Sequence, residues 1–172
     1  HITMKNLKYS TQTISKNDIA SVNKVLKSEL LTQGPKTIEF EKKIKLLVGS
    51  KYALATNSAS SALLIACKAL ELNKGDLFWT VPNSFVASAN CGRYCGADID
   101  FVDIDPLTFN MCSSKLEKKL IDARKSGQLP KVVIPVHLCG QSCDMEAINE
   151  LSKIYGFKII EDAAHAIGGE YN

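Results

Sequence analysis

From residue 15 onward the apolar positions switch between two periods. Two stretches at helical spacing come first. "SKNDIASVNKVLKSEL" opens with a capping box, Ser15 to Asp18, and repeats apolar residues at Ile19, Val22, Val25 and Leu26. "PKTIEFEKKIKLLVG" carries Pro35 in its first turn and Gly49 at its stop. Short apolar runs of strand length then alternate with amphipathic segments. The pattern predicts strands in "YALAT", "LFWTV", "DIDFVDI", "KVVIPV" and "FKIIED". Between them it predicts helices over Ser60 to Leu72, near "SFVASANCGRY", over "SKLEKKLIDAR" and in "DMEAINELSKIY". Strands separated by single helices with short connections indicate an α/β fold, a mainly parallel sheet sandwiched by helices. The expected organisation is a helical segment over 4–50 and an α/β domain over 51–172, with residues 1–3, which precede Met4, set aside as a cloning remnant.

Composition narrows the class. With 172 residues, 45% hydrophobic and 23% charged, the chain suits one soluble globular domain. A net charge of +3 gives no reason to expect nucleic acid, and the lysine runs 42–45 and 115–119 fall at helical spacing beside apolar positions, as solvated helix faces do. The uncharged run "LFWTVPNSFVASANCG" contains Pro82, Asn83 and Asn90 and falls short of the roughly 20 apolar residues of a membrane helix. No membrane partner and a cytoplasmic location are expected. Six cysteines, at 67, 91, 95, 112, 139 and 143, include no Cys-x-x-Cys pair, so neither a disulfide framework nor a metal site is expected.

In parallel sheets ligands bind beyond the carboxyl ends of the strands. Candidate chemistry is therefore sought at 57–60, 82–85, 103–105, 137–140 and 161–165. After the first expected strand, "TNSASS" leads into a helix, so hydroxyls and backbone N–H groups gather at the positive end of its dipole. That suits a single phosphate, since no G-x-G-x-x-G and no Walker lysine is present, although a redundantly capped helix would use the same residues. In "IIEDAAHAIGGEY", Asp162 ends an apolar run, where a carboxylate could partner a cationic ring nitrogen, and His165 could reach a ring substituent. Phe85 in "PNSF" offers a face on which a ring could stack, and each of these three could equally be structural. His137 reads as a strand end shaping the pocket wall. A phosphate cup, a stacking ring and a carboxylate together describe a pyridoxal phosphate (PLP) site.

The ordered series "LLTQGP", "FEKKI", "TNSASSAL", "TVPNSFVASANC", "GADIDFVDID", "PVHLCGQSCDM" and "IIEDAAHAIGGEY" resembles the fold type I, PLP-dependent nucleotide-sugar aminotransferases of the DegT type. Within them it is most similar to the transaminases of pseudaminic acid biosynthesis. The resemblance runs from about Tyr9 to the last residue. It implies that Ser58, Ala59 and Ser60 hold the cofactor phosphate, Phe85 stacks on the pyridine, Asp162 pairs with the ring nitrogen and His165 approaches the ring hydroxyl. It places Tyr9 and the segment Glu29, Leu30, Leu31 and Thr32 on the nucleotide-sugar side.

The same resemblance implies a reaction: glutamate gives its amino group to C4 of a UDP-4-keto-6-deoxy-N-acetyl hexose, in a cytoplasmic homodimer. The family's cofactor-binding lysine follows the "EDAAHA" motif at a distance this chain does not reach, so no catalytic residue is assigned and the chain alone is expected to be inactive. A sibling chemistry, such as a sugar dehydratase or cysteine desulfurase, and a binding or assembly domain without activity remain open alternatives.

Overall fold

The computed structural model describes residues 11–170, in two units divided between Ala53 and Leu54. The first unit contains α1 (Lys16–Leu26) and α2 (Pro35–Leu47). The capping box at the start of α1 is formed in both directions: Asp18 N donates to Ser15 Oγ at 3.2 Å and Ser15 N to Asp18 Oδ2 at 2.6 Å. Pro35 begins α2, where its missing N–H costs no intrahelical bond, and Gly49 follows the helix with φ +64°.

The second unit alternates strands and helices: α3 (Ala59–Ala69), β1 (Leu77–Thr80), α4 (Ala87–Arg93), β2 (Asp98–Phe101), α5 (Ser113–Ser126), β3 (Val132–Val133), a 3-10 turn (Leu138–Gly140), α6 (Met145–Tyr155) and β4 (Lys158–Ile159). All strand pairs are parallel, in the order β2-β1-β3-β4, with Trp79 opposite both Asp100 and Val133. Strand residues alternate between two cores. Trp79, Val81 and Val133 pack with Leu116, Leu120, Ile148 and Leu151 of α5 and α6. Phe78, Val132 and Ile134 pack with Leu63 and Cys67 of α3 and Cys91 of α4. The sheet thus has helices on both faces, and each large apolar side chain so enclosed contributes about 1.5–3 kcal/mol. Gly92 lets α4 lie against Phe78: a Cβ there would stand 2.3 Å from the ring.

Two local features depart from the sequence expectation. Residues 52–56, "YALAT", are not a strand. A strand exists only as one member of a ladder, and the described sheet consists of four other segments. β3 is shorter than "KVVIPV" suggested because Pro135 has no N–H to continue the ladder. Pairing resumes beyond it, with Val136 bridging Asp162.

Candidate active site at the strand ends

The crossovers diverge beside β1. The chain leaves β1 through α4 to β2 on one side, then returns through α5 to β3 on the other, and the carboxyl ends of β1 and β3 flank this switch point. Asp162 is stitched in beside it. Its N–H donates to Pro135 O at 2.9 Å, and its carbonyl accepts His137 N–H at 3.1 Å. Its side chain is held too: Ser88 Oγ donates to Oδ2 at 2.7 Å, and the Ala164 N–H reaches Oδ1 at 3.4 Å. Asp162 is 9% exposed and Ser88 1%. A carboxylate this buried is tolerated only with donors around it.

Ser88 also ties Asp162 to Phe85, because Ser88 N–H donates to Phe85 O at 3.2 Å. The Phe85 ring is 74% exposed, a large apolar surface left to face something other than this unit's core. Asn83, two residues earlier, donates through Nδ2 to Phe109 O at 2.9 Å and fixes the loop that carries it.

At the mouth of α3, Ser58 is the N-cap and accepts Ser61 N–H on Oγ at 3.2 Å. Much of the polar excess is spent within the cap. Ser61 Oγ donates to Asn57 Oδ1 at 2.7 Å and lies 3.1 Å from Ser58 Oγ, while Thr56 Oγ1 donates to Ser58 O at 2.9 Å. The first-turn amides of Ala59 and Ser60 have no acceptor within the helix, and the Ser60 side chain is exposed beside them. These are the groups available to an anion, at the positive end of a helix that packs on α4.

His137 is buried and has both ring nitrogens occupied. Cys143 N–H donates to Nδ1 at 3.1 Å, and the Cys143 thiol donates to Val136 O at 3.2 Å. An imidazolium would have to surrender the amide bond, so we assign the neutral Nε2–H tautomer, donating to Glu161 Oε2 at 3.0 Å. That bond from His137 holds the Glu161 carboxyl below its usual range. His137 is therefore a structural strut, tying Glu161 to the segment at Cys143.

His165 is exposed, and its backbone is packed against the turn after β3 through Gly140. Asn110 clamps the same turn. Its Oδ1 accepts Leu138 N–H at 3.0 Å, and its Nδ2 donates to Gln141 O and Ser142 O at 3.0 and 3.1 Å. In the helical unit, Glu29 to Thr32 are exposed in the turn between α1 and α2, where Leu30 and Leu31 help line an apolar groove of about 220 Å³. Tyr9 lies outside the described residues. A hollow of about 630 Å³ at the other end of the sheet, beside Asp76 and Lys131, holds none of the candidate residues, and the Lys131 ammonium there is engaged by Asp76 at 2.8 Å.

Residues 12–172 match the DegT/DnrJ/EryC1/StrS aminotransferase family. The chain belongs to this family. It is 41% identical to the spore coat polysaccharide biosynthesis protein SpsC of Bacillus subtilis, over 96% of this chain and 41% of that protein. It is 39% identical to the UDP-4-amino-4,6-dideoxy-N-acetyl-beta-L-altrosamine transaminase of Campylobacter jejuni, over 95% of this chain and 42% of the relative. Helicobacter pylori PseC, an aminotransferase involved in pseudaminic acid biosynthesis, superposes with a TM-score of 0.89 at 32% identity, over 98% of this chain and 44% of that one. The chain thus spans about two fifths of the length of these DegT-family proteins.

Solved structures of sugar aminotransferases similar to this chain include PLP and pyridoxamine phosphate forms. The donor set of this DegT-family chain fits such a group: a buried, hydrogen-bonded carboxylate, an exposed aromatic face one helical turn from the serine that supports it, and free amides at a helix N-terminus. The two residues that sequence reasoning missed are supports, Ser88 and Asn110. Ser88 had a weak signal, a second hydroxyl four positions after Ser84, which lies in the loop leading into α4.

Proposed function

We propose that the full-length protein is a PLP-dependent aminotransferase that moves an amino group from glutamate to C4 of a UDP-4-keto-6-deoxy-N-acetyl hexose, in nucleotide-sugar biosynthesis of the pseudaminic acid type. The observation that carries this reading is Asp162, a buried carboxylate fixed by backbone bonds on both sides and by Ser88. When bound, PLP would supply an aldehyde carbon that takes up and returns the amino group and a ring that withdraws electrons from it. Asp162 would hold a proton at the ring nitrogen. Ala59 and Ser60 amides, with the Ser58 and Ser60 hydroxyls, would bind the phosphate, Phe85 would cover one ring face, and His165 would approach the ring hydroxyl. Tyr9 and Glu29 to Thr32 would contact the nucleotide sugar.

The similarity to the Campylobacter transaminase and to PseC supports the choice of sugar. The overall exchange balances: glutamate leaves as 2-oxoglutarate, and the ketone becomes an amine. A cytoplasmic homodimer is part of the same proposal, and among the described residues no helix is long and apolar enough to cross a membrane. No lysine follows the "EDAAHA" motif within residues 1–172, so the chain by itself is proposed to be inactive.

The test is 2-oxoglutarate release by the full-length protein supplied with PLP and glutamate. Release sustained only while the UDP-keto sugar is present supports the reading. Release of sulfur from cysteine, or dehydration of the sugar without use of glutamate, would replace it with a sibling chemistry. Sustained turnover by the 172-residue chain alone would refute its proposed inactivity.

A further inference from the structure

Two serines of one short segment form a relay onto the Asp162 carboxylate. Ser88 Oγ is 2.7 Å from Asp162 Oδ2 and 3.0 Å from Ser84 Oγ. Ser88 has a single hydroxyl proton. The carboxylate can only accept, so that proton goes to Oδ2, and the Ser84 hydroxyl must therefore donate to Ser88 Oγ. The relay is directional: Ser84 to Ser88 to Asp162. Ser84 is half-buried and Ser88 is buried, so water cannot readily replace the inner link.

The arrangement does more than satisfy a buried group. Asp162 Oδ1 keeps only the long contact to Ala164 N–H, whereas Oδ2 receives a short bond of the charge-assisted kind. The side chain is therefore held from one oxygen and offers the other. Residue 84 lies next to Phe85, and Ser88 N–H binds the Phe85 carbonyl, so one turn of chain sets the carboxylate and carries the exposed ring.

We propose that Ser88, oriented by Ser84, is a positioning residue for PLP-dependent chemistry: it fixes Asp162 Oδ2 so that Oδ1 is presented to the cofactor's ring nitrogen and the shared proton stays on nitrogen. This rests on the PLP reading above. Removing the hydroxyl frees the carboxylate to rotate and takes a donor from its charge. The first loosens the contact with a ring N–H, and the second raises the proton affinity of the carboxylate itself, so both leave the shared proton less firmly on nitrogen.

The test uses full-length protein loaded with PLP labelled with ¹⁵N in the ring, and reads the ring-nitrogen chemical shift across neutral to alkaline pH together with the PLP dissociation constant. The wild type is expected to keep the ring nitrogen protonated at neutral pH and to titrate only at the alkaline end of the range. Ser88→Ala should lower the titration midpoint of the ring nitrogen by about one to two units, the equivalent of one hydrogen bond to a charged group. Ser84→Ala should lower it less, and Ser88→Thr, which restores a hydroxyl, should recover most of the shift. If Ser88→Ala does not fold, the Ser84→Ala and Ser88→Thr pair decides the matter, and a midpoint unmoved in Ser84→Ala overturns the relay. A Ser88→Ala protein that binds PLP with an unaltered ring-nitrogen shift overturns the positioning role and leaves the PLP reading standing. Failure of the wild type to bind PLP overturns both.

Discussion

Gly140 and His165 are packed so closely that a Cβ on residue 140 would stand 2.8 Å from the His165 carbonyl oxygen. Gly140 also has φ +86°, which a side chain disfavours by about 1–2 kcal/mol. The turn after β3 and the segment after β4 therefore fit each other only because residue 140 has no side chain. Gly140→Ala should destabilise the protein by about 2 kcal/mol in urea unfolding. It should also shift the backbone amide resonances of 163–166. Unchanged stability and unchanged resonances would show that the contact does not position His165.

Asn110 accepts one and donates two hydrogen bonds to the 138–142 turn while only 3% exposed. Asn110→Ala leaves a backbone N–H and two carbonyls short of a partner, so a loss of about 3 kcal/mol is expected. Amide hydrogen exchange should rise first at Leu138. A change in exchange confined to the protein's other turns would contradict the clamp.

The hydrogen bond from His137 holds the Glu161 carboxyl below its usual range. A carboxylate depressed in the folded state adds stability above its unfolded pKa, and that contribution disappears as pH falls through the folded value. The melting temperature of the wild type should exceed that of Glu161→Gln at neutral pH, and the two should converge under acid. A gap that widens on acidification would mean that the pair is read with the wrong sign.

Asp162→Asn removes the charge and retains the shape, and Asn can still accept from Ser88. In the full-length protein this variant should bind PLP while turnover falls by orders of magnitude. Near wild-type turnover would make Asp162 structural.

The architecture was legible because each element carries its own signal. The Ser15 capping box, Pro35 and Gly49 mark the ends of the first two helices, and apolar strand runs alternate with amphipathic helices thereafter. The strand-end rule selected the segments containing Asp162 and Phe85, whereas Ser58 was reached through an expected strand, 52–56, that the structure does not form. Pairing partners were not legible. Residues 52–56 have strand composition, yet a strand is a property of two segments, and the described residues supply no ladder for them. Ser88 and Asp162 lie 74 positions apart, and nothing local to either reports the sheet order that joins them. The serines of "TNSASS" show a further limit: sequence counts hydroxyls, but only geometry shows that Ser58 and Ser61 are largely engaged in the cap and that Ser60 is not.

The central claim is amino transfer to a sugar carbon, and nitrogen tracing tests it most directly. Full-length protein with PLP, ¹⁵N-glutamate and a UDP-4-keto-6-deoxy-N-acetyl hexose should yield a sugar nucleotide with ¹⁵N bonded to C4, detected by ¹³C–¹⁵N coupling, and an equal amount of 2-oxoglutarate. A sugar product that carries no ¹⁵N, or an unaltered keto sugar beside a protein that binds PLP, would contradict the account.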